Sequence, residues 1–174
     1  MGTFKRSFIT LVSILALALT VVAGLAPQAG AVSSTERSAE QYLLGLVNAD
    51  RKASHLGTIK EQSYIRGQSE AHSADMLHRQ SMDHNGFSQR VANIRANDSG
   101  MRNAGICENV AVATNYADYG SAMRTIDAAW KASTGHRKCM LDQEGWSSQS
   151  GAIGVRYDGH SYWVTYEAGH DTTP

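Results

Sequence analysis

The sequence predicts an α+β fold, with three helices that precede an antiparallel strand pair near the C-terminal end of the chain. Apolar residues recur at intervals of three and four in three separate stretches, which is the period of a helix with one buried face. Two alternating runs flank Asp158-Gly159, and this dipeptide is a strong short-range signal of a β-hairpin. Helices that precede a hairpin favour the α+β class.

Residues 1–31 are expected to form a cleaved secretory signal peptide. Lys5 and Arg6 precede an apolar run over residues 8–26, and the small residues Ala29-Gly30-Ala31 follow it as a cleavage site. The alternative is an uncleaved anchor, because the run is close to the ~20 apolar residues that span a bilayer. The basic start and the small-residue site favour cleavage, and therefore a secreted, extracellular protein without a stable membrane anchor.

Cleavage would leave residues 32–174 as one domain, because about 143 residues suffice for a single hydrophobic core. The whole chain has 16 basic and 16 acidic residues; without Lys5 and Arg6 the balance is 14 to 16, a formal charge of −2. Such a balance does not attract nucleic acid or anionic membranes. We expect a monomer with no nucleic-acid partner.

The first helix is predicted over residues 36–54. Its apolar side carries Leu43, Leu46 and Val47, and Gly57 follows as a stop signal. A surface helix with one buried face is expected.

The second helix is predicted over residues 62–80. Ile65, Ser69, His72 and Met76 follow one another at spacings of four, three and four, so His72 should face inward. A buried histidine that is hydrogen-bonded in the core is favoured over a direct metal ligand.

The stretch 82–118 is rich in Asn, Gly, Asp and Ser and lacks a sustained period. It is predicted to be a long loop with a short strand over residues 109–113. A loop of this length in a compact domain is usually functional.

A third helix is predicted from Asp118 to Ser133 and should end at Gly135. The terminal segment GAIGVRYDGHSYWVTYEAG then predicts the hairpin. Its aromatic residues are expected to serve the core and strand pairing and not to form a ligand shelf: Tyr162, Trp163 and Tyr166.

The two cysteines, Cys107 and Cys139, are predicted to form a disulfide, because such bonds persist in exported proteins. Two free thiols are the alternative. The bond would close a loop over 32 positions, worth roughly 3–4 kcal/mol in the chain-entropy model. Cys107 precedes Glu108 and Cys139 follows His136 by three residues, so the bond would hold two candidate site segments together.

Three segments carry candidate site residues: DHNGFSQRV (83–91) with His84, AGICENVA (104–111) with Glu108, and STGHRKCML (133–141) with His136. One carboxylate and two imidazoles suit a divalent-metal or an acid–base site. They are spread over 52 positions and do not form a helical HExxH motif, so only a specific fold could unite them. Each residue also has a structural alternative: an exposed turn residue, a partner of loop amides, and a capping residue, respectively.

Six segments carry a resemblance to a known family. In order they are LVNADR, AHSADM, DHNGFSQRV, ENVAVA, AWKASTGHRKCML and AIGVRYDGHSYWVTYEAG. Across essentially the whole mature chain they are similar to the bacterial branch of the CAP superfamily, which groups cysteine-rich secretory proteins, antigen 5 and pathogenesis-related 1 proteins as SCP-like extracellular proteins. The resemblance implies a three-layer α-β-α sandwich with a small, mainly antiparallel sheet and a surface cleft.

The resemblance also implies a site. In the wider family the cleft carries two histidines and two acidic residues, and some members bind zinc or another divalent cation there. His84, Glu108 and His136 match three of these positions, whereas Ser133 stands where the eukaryotic pattern has the second glutamate. With two imidazoles and one carboxylate, water would complete the shell of the cation and the metal would be held more weakly.

Three functions are consistent with these residues. The favoured one is a binding module whose cleft takes a divalent cation, a small lipid-like or peptide ligand, or both, without turnover. The second is an extracellular metal-dependent hydrolase with Glu108 as general base, or a variant with Cys107 as nucleophile if its thiol is free. The third is a protein-interaction or cell-surface module that acts through its loops.

Overall fold

The computed structural model describes residues 31–142 and 150–169. The predicted signal peptide lies outside these ranges except for Ala31, so it stays a prediction. Within them, no helix is long and apolar enough to cross a bilayer. The described elements, in chain order, are α1 Ser34–Ala53, β1 Lys60–Glu61, α2 Ser63–Arg79, α3 Phe87–Asn97, a 3-10 turn Ser99–Met101, β2 Ile106–Thr114, α4 Tyr119–Ala132, α5 Thr134–Met140, β3 Ser150–Tyr157 and β4 Ser161–Gly169.

The four strands form one sheet in the order β1-β3-β4-β2. β4 pairs antiparallel with both β2 and β3, whereas the two-residue β1 runs parallel to β3. Gly159 has a φ of 92° in the turn between β3 and β4, a conformation that favours glycine. The predicted hairpin is therefore confirmed, and β2 is an edge strand of the sheet.

Helices cover both faces of the sheet. α2 packs on β3 and β4, with α3 against α2, while α1, α4 and α5 lie on the other face. The larger hydrophobic core lies between α1, α4 and the sheet, and a smaller one joins Ile65 of α2 to Ile94 of α3 and Ile106 of β2. These layers confirm the predicted α+β fold and the three-layer α-β-α sandwich.

α1 also completes the edge of the sheet. β1 covers only Ser150 and Gly151 of β3, and the exposed backbone N–H groups farther along need other acceptors. The Glu40 carboxylate accepts from Val155 N at 3.1 Å, and the Glu36 carboxylate accepts from Tyr157 N at 2.9 Å. Two buried glutamates of a helix thus replace the missing part of a strand.

α2 approaches the sheet closely at Gly154. Ser73 Oγ donates to Gly154 O at 2.9 Å, and a Cβ at this glycine would overlap the backbone of Ser69 and Glu70. The contact places the inner face of α2, with His72 3% exposed, against β3 and β4. The predicted inward position of His72 is confirmed.

The predicted loop over residues 82–118 is wrong. It contains α3, the 3-10 turn and β2, which is also longer than the predicted strand 109–113. Phe87, Val91 and Ile94 of α3 pack in the smaller core at spacings of four and three. Because the residues around them in the sequence are polar, this short helical period did not predict a helix.

The predicted end of the third helix at Gly135 is also wrong. α4 ends at Ala132, and Ser133 has an extended backbone that separates it from α5. Gly135 lies inside α5. The break turns the chain so that α5 contacts β2, which brings Cys139 to Cys107.

Candidate functional site

His84 and Glu108 form the centre of the candidate site. His84 lies in the turn before α3, and its Nδ1 is 2.7 Å from Glu108 Oε1 on β2. The side chain of His84 is 53% exposed and that of Glu108 is 1% exposed. Among the described residues, His84 Nε2 has no hydrogen-bond partner, so the outer nitrogen of the ring is available at the surface.

Arg90 of α3 holds Glu108 from the other side. Its guanidinium donates from Nε and Nη2 to Glu108 Oε2, with a distance of 3.1 Å from Nε. Nε also lies 3.0 Å from Glu167 Oε1, and Nη1 donates to Asn85 O at 2.7 Å. The buried arginine therefore neutralises carboxylate charge and fixes the turn that carries His84.

Glu167 of β4 is the second buried acid of the site. It is the cross-strand partner of Glu108, it is fully buried, and its Oε2 accepts from Ser69 Oγ at 2.9 Å. Burial and the negative charge of Glu108 raise the pKa of Glu167 to about 7. One guanidinium faces two carboxyl groups, so a proton on Glu167 balances the charge.

His72 supports the site from α2. Its Nε2 is 2.9 Å from Asp83 O, a carbonyl that can only accept, so Nε2 carries the proton. Burial and the nearby charge of Arg90 lower the pKa of His72, which keeps the ring neutral. Nδ1 has no partner within residues 31–142 and 150–169. The favoured prediction, a buried and hydrogen-bonded histidine, is confirmed.

His136 approaches β2 from α5. Its carbonyl accepts from Asn109 Nδ2 at 2.9 Å, and its ring lies beside Trp130, with centroids 6.5 Å apart. Burial and the charge of His84 lower the pKa of His136, so the two imidazoles are within electrostatic range of each other.

The predicted disulfide between Cys107 and Cys139 is confirmed, with Cα atoms 5.7 Å apart. Because successive side chains of a strand point to opposite faces, Cys107 binds α5 while Glu108 contacts α3. The candidate site therefore spans the outer edge of β2, with His84 on one side and His136 on the other.

The arrangement suits a metal only in part. Across the described ranges, no group of three or more His, Cys, Asp or Glu side chains converges as a metal site. Both oxygens of Glu108 are engaged, one by His84 and one by Arg90. The imidazole nitrogens of His84 and His136 are suitable ligands for a cation. Glu108 suits the role of the carboxylate that orients a ligating histidine. The ligand role predicted for these three residues stays a prediction.

Sequence reasoning missed Arg90 and Glu167. Arg90 belongs to the unpredicted helix α3, and Glu167 interrupts a strand whose other residues are apolar or uncharged. A charged residue at an inward position of a buried strand must have a partner, and this signal could have identified Glu167. That the partner is Arg90, 77 positions away, could not be predicted from any local sequence pattern.

Comparisons with known proteins reveal the fold. No family model and no curated protein matches the chain. Among solved structures, it is similar to an extracellular protein with an SCP domain from Bacillus anthracis: 22% identity, TM-score 0.59, 81% of this chain and 45% of that chain. A cysteine-rich secretory protein from Staphylococcus aureus matches at 14% identity and TM-score 0.56, with 78% of this chain and 40% of that chain. An outer surface protein from Borrelia burgdorferi matches at 13% identity and TM-score 0.56, with 81% and 97%.

The chain thus spans less than half of the length of the Bacillus and Staphylococcus proteins. It has the fold of SCP domains, the fold of the CAP superfamily that the six segments predicted. At these identities the likeness concerns the fold.

Proposed function

We propose that the chain is an extracellular CAP-type binding module whose site at the β2 edge holds a divalent cation, such as zinc, through His84 and His136. The observation that carries the proposal is the 2.7 Å contact between His84 Nδ1 and Glu108 Oε1. Glu108 can only accept when ionised, so Nδ1 carries the proton and the lone pair of a neutral imidazole lies on the outward Nε2. A carboxylate behind a ligating histidine is the usual support of a protein metal site.

The environment of the two imidazoles also supports the proposal. The pKa of His136 is lowered by burial and by His84, and a neutral imidazole is the form that binds metal. Arg90 neutralises Glu108, so the site lacks strong negative charge and the cation is held weakly, with water in the open positions. When bound, the cation supplies a Lewis-acidic centre that attracts the oxygen of a ligand.

Extracellular placement is part of the proposal. It is supported by the predicted signal peptide and by the Cys107–Cys139 disulfide, which persists in oxidising compartments.

The hydrolase alternatives have less support. A general base must reach the proton that it removes, whereas Glu108 is 1% exposed and Arg90 occupies its second oxygen. The variant with Cys107 as nucleophile is wrong, because this sulfur is in the disulfide. The loop-mediated interaction module differs from the favoured function in one measurable respect: it would need no metal for ligand binding.

Metal analysis tests the proposal. The purified protein is dialysed to equilibrium against a saturating concentration of zinc, and the zinc on the two sides of the dialysis membrane is measured by elemental mass spectrometry, beside the double variant His84→Ala/His136→Ala. His78→Ala is the matched control, because His78 is an exposed histidine in the last turn of α2. We expect close to one zinc per chain in the parent and the control, and a loss in the double variant. Equal zinc in all three proteins would refute the assignment.

A further inference from the structure

A groove between α2 and α3 adjoins the candidate site. It has a volume of about 280 Å³, and its lining includes Gln68 and Ala71 of α2, Gln89 and Arg90 of α3, and Gly86 in the turn between them. Arg90 separates the groove from Glu108, and Gly86 lies two residues after His84. The groove is therefore a neighbour of the site at the β2 edge and not a part of it.

Three carboxamides connect the two walls of the groove. Gln89 Nε2 donates to Asn93 Oδ1 at 3.0 Å, and Asn93 Nδ2 donates to Gln68 Oε1 at 3.3 Å. This chain of bonds fixes the orientation of both glutamines, because each amide has one oxygen and one nitrogen. Among the described residues, Gln68 Nε2 and Gln89 Oε1 are left without a partner, so the two glutamines offer one donor and one acceptor. The buried Nδ1 of His72, another lining residue, is a further acceptor without a partner.

The charges around the groove are already balanced. Arg90 is paired with Glu108 and Glu167, and Asp75, another lining residue, is paired with Arg79 at 2.8 Å. A charged ligand would find no unpaired counter-charge there. An uncharged ligand with one acceptor and one donor fits the lining better, since both of its polar groups would be satisfied.

We propose that this groove binds the backbone of an extended peptide. A peptide bond offers the complement of the two glutamines: its C=O accepts from Gln68 Nε2 and its N–H donates to Gln89 Oε1. Ala71 and Gly86 have little or no side chain, so a backbone can lie close to the wall. The volume is near the lower limit of the roughly 300–1,000 Å³ typical of ligand pockets, which suits a few peptide units and not a folded partner.

An acetamido sugar carries the same amide group, but the lining residues include no Phe, Tyr or Trp against which a sugar could stack. The peptide is therefore the favoured occupant. The inference rests on the proposed role of the chain as a binding module, but it does not require the cation.

Titration followed by nuclear magnetic resonance tests the inference. The ¹⁵N-labelled protein is titrated with acetyl-tetra-alanine-amide in the presence of a chelator, and the side-chain amide signals of Gln68 and Gln89 are followed. The variants Gln68→Met and Gln89→Met assign these signals and remove one hydrogen bond each. Gln41→Met, at an exposed position of α1, is the matched control.

We expect saturable shifts of both glutamine signals, a dissociation constant about fivefold higher in each groove variant, and no change in Gln41→Met. Absence of saturable shifts, or an affinity for the peptide in Gln68→Met or Gln89→Met equal to that of the parent protein, would overturn the inference. So would tighter binding of di-N-acetylchitobiose than of the peptide. Because the chelator removes the cation, a failure here is distinct from a failure of the zinc assignment.

Discussion

Glu108 and Glu167 face each other directly across β2 and β4, and the single guanidinium of Arg90 donates to both carboxyl groups. Both acids are buried, with side chains 1% and 0% exposed. The arginine is therefore the main compensation for the negative charge that these two acids hold out of water. Stability and site geometry depend on the same contact.

Replacement of Arg90 by methionine should destabilise the protein strongly. It leaves two buried carboxyl groups without their counter-charge, and removal of one partner from a buried ion pair costs about 3–5 kcal/mol. Urea unfolding at pH 8 measures the effect. Arg95→Met on the same helix is the control. Arg95 is exposed and, among the residues that the structure describes, it donates to Ala104 O alone, so its loss should cost about 1 kcal/mol. Equal losses in the two variants would contradict the role of Arg90.

The raised pKa of Glu167 predicts a specific pH dependence. The folded protein holds this proton up to about pH 7, whereas the unfolded chain releases it near the ordinary value of 4.5. The folded state thus binds more protons between these values, so the contribution of Glu167 is fully present below pH 4.5 and is lost as the pH rises to about 7. The slope reaches at most about 1.4 kcal/mol per pH unit.

Glu167→Gln isolates this contribution. The amide imitates the protonated acid, because it can accept from Arg90 and donate to Ser69 Oγ. Glu40, whose pKa is also raised to about 7, is present in both proteins and cancels in the comparison. We expect the variant to gain stability relative to the parent between pH 4.5 and 7 in urea unfolding. A constant difference over this range would show that Glu167 is ionised throughout.

Glu108→Gln should weaken zinc binding without abolishing it. The proposed role of Glu108 is to orient His84, and loss of such a supporting carboxylate typically costs 10–100-fold in metal affinity. Calorimetry with zinc, beside His84→Ala, measures the difference. A loss as complete as in His84→Ala would make Glu108 a direct ligand, and an unchanged affinity would remove it from the site.

Gly154→Ala should be among the most destabilising alanine substitutions in the sheet. Its Cβ would meet the backbone of α2 at Ser69 and Glu70, and backbone cannot rotate away as a side chain can. We expect the free energy of unfolding to fall by about 1–3 kcal/mol. Gly67→Ala in α2 is the control: nothing lies within 4 Å of its Cβ, and alanine is favoured in a helix by up to about 1 kcal/mol. The midpoint of thermal unfolding should therefore fall in Gly154→Ala and rise in Gly67→Ala.

Cys107→Ser should lower the stability by roughly 3–4 kcal/mol, since the bond closes a loop over 32 positions. In a Cys139→Ser background the same change should have little further effect, because the bond is already absent. Thermal unfolding of the two single variants and the double variant measures this. Fully additive losses would argue against a shared bond.

The sequence predicted well those elements that a local period defines. Leu43 and Val47 of α1, Met123 and Trp130 of α4, and the turn at Asp158-Gly159 lie where spacing placed them. β1 could not be predicted, because two residues carry no period and its parallel partner lies 90 positions later.

The site was predicted less completely than the fold. His84 and Glu108 do meet, as their segments implied, but Arg90 and Glu167 were missed. Their pairing depends on which faces of α3 and β4 meet in space, and no local pattern records that. The role of His84 and His136 as ligands of one cation stays a prediction, which the zinc measurements test.

The position of β4 in the sheet determines when the protein can fold during synthesis. β4 follows every other described element in the chain, yet it lies inside the sheet between β3 and β2. Until residues 161–169 have been made, β2 has no strand with which to pair. Ser69 of α2 also lacks its hydrogen-bond partner, Glu167, which lies 98 positions later in the chain. The sheet cannot be completed in stages, and contacts of such long range form slowly. Completion of the sheet is thus a late event, and the sheet-facing sides of the helices depend until then on protection from aggregation.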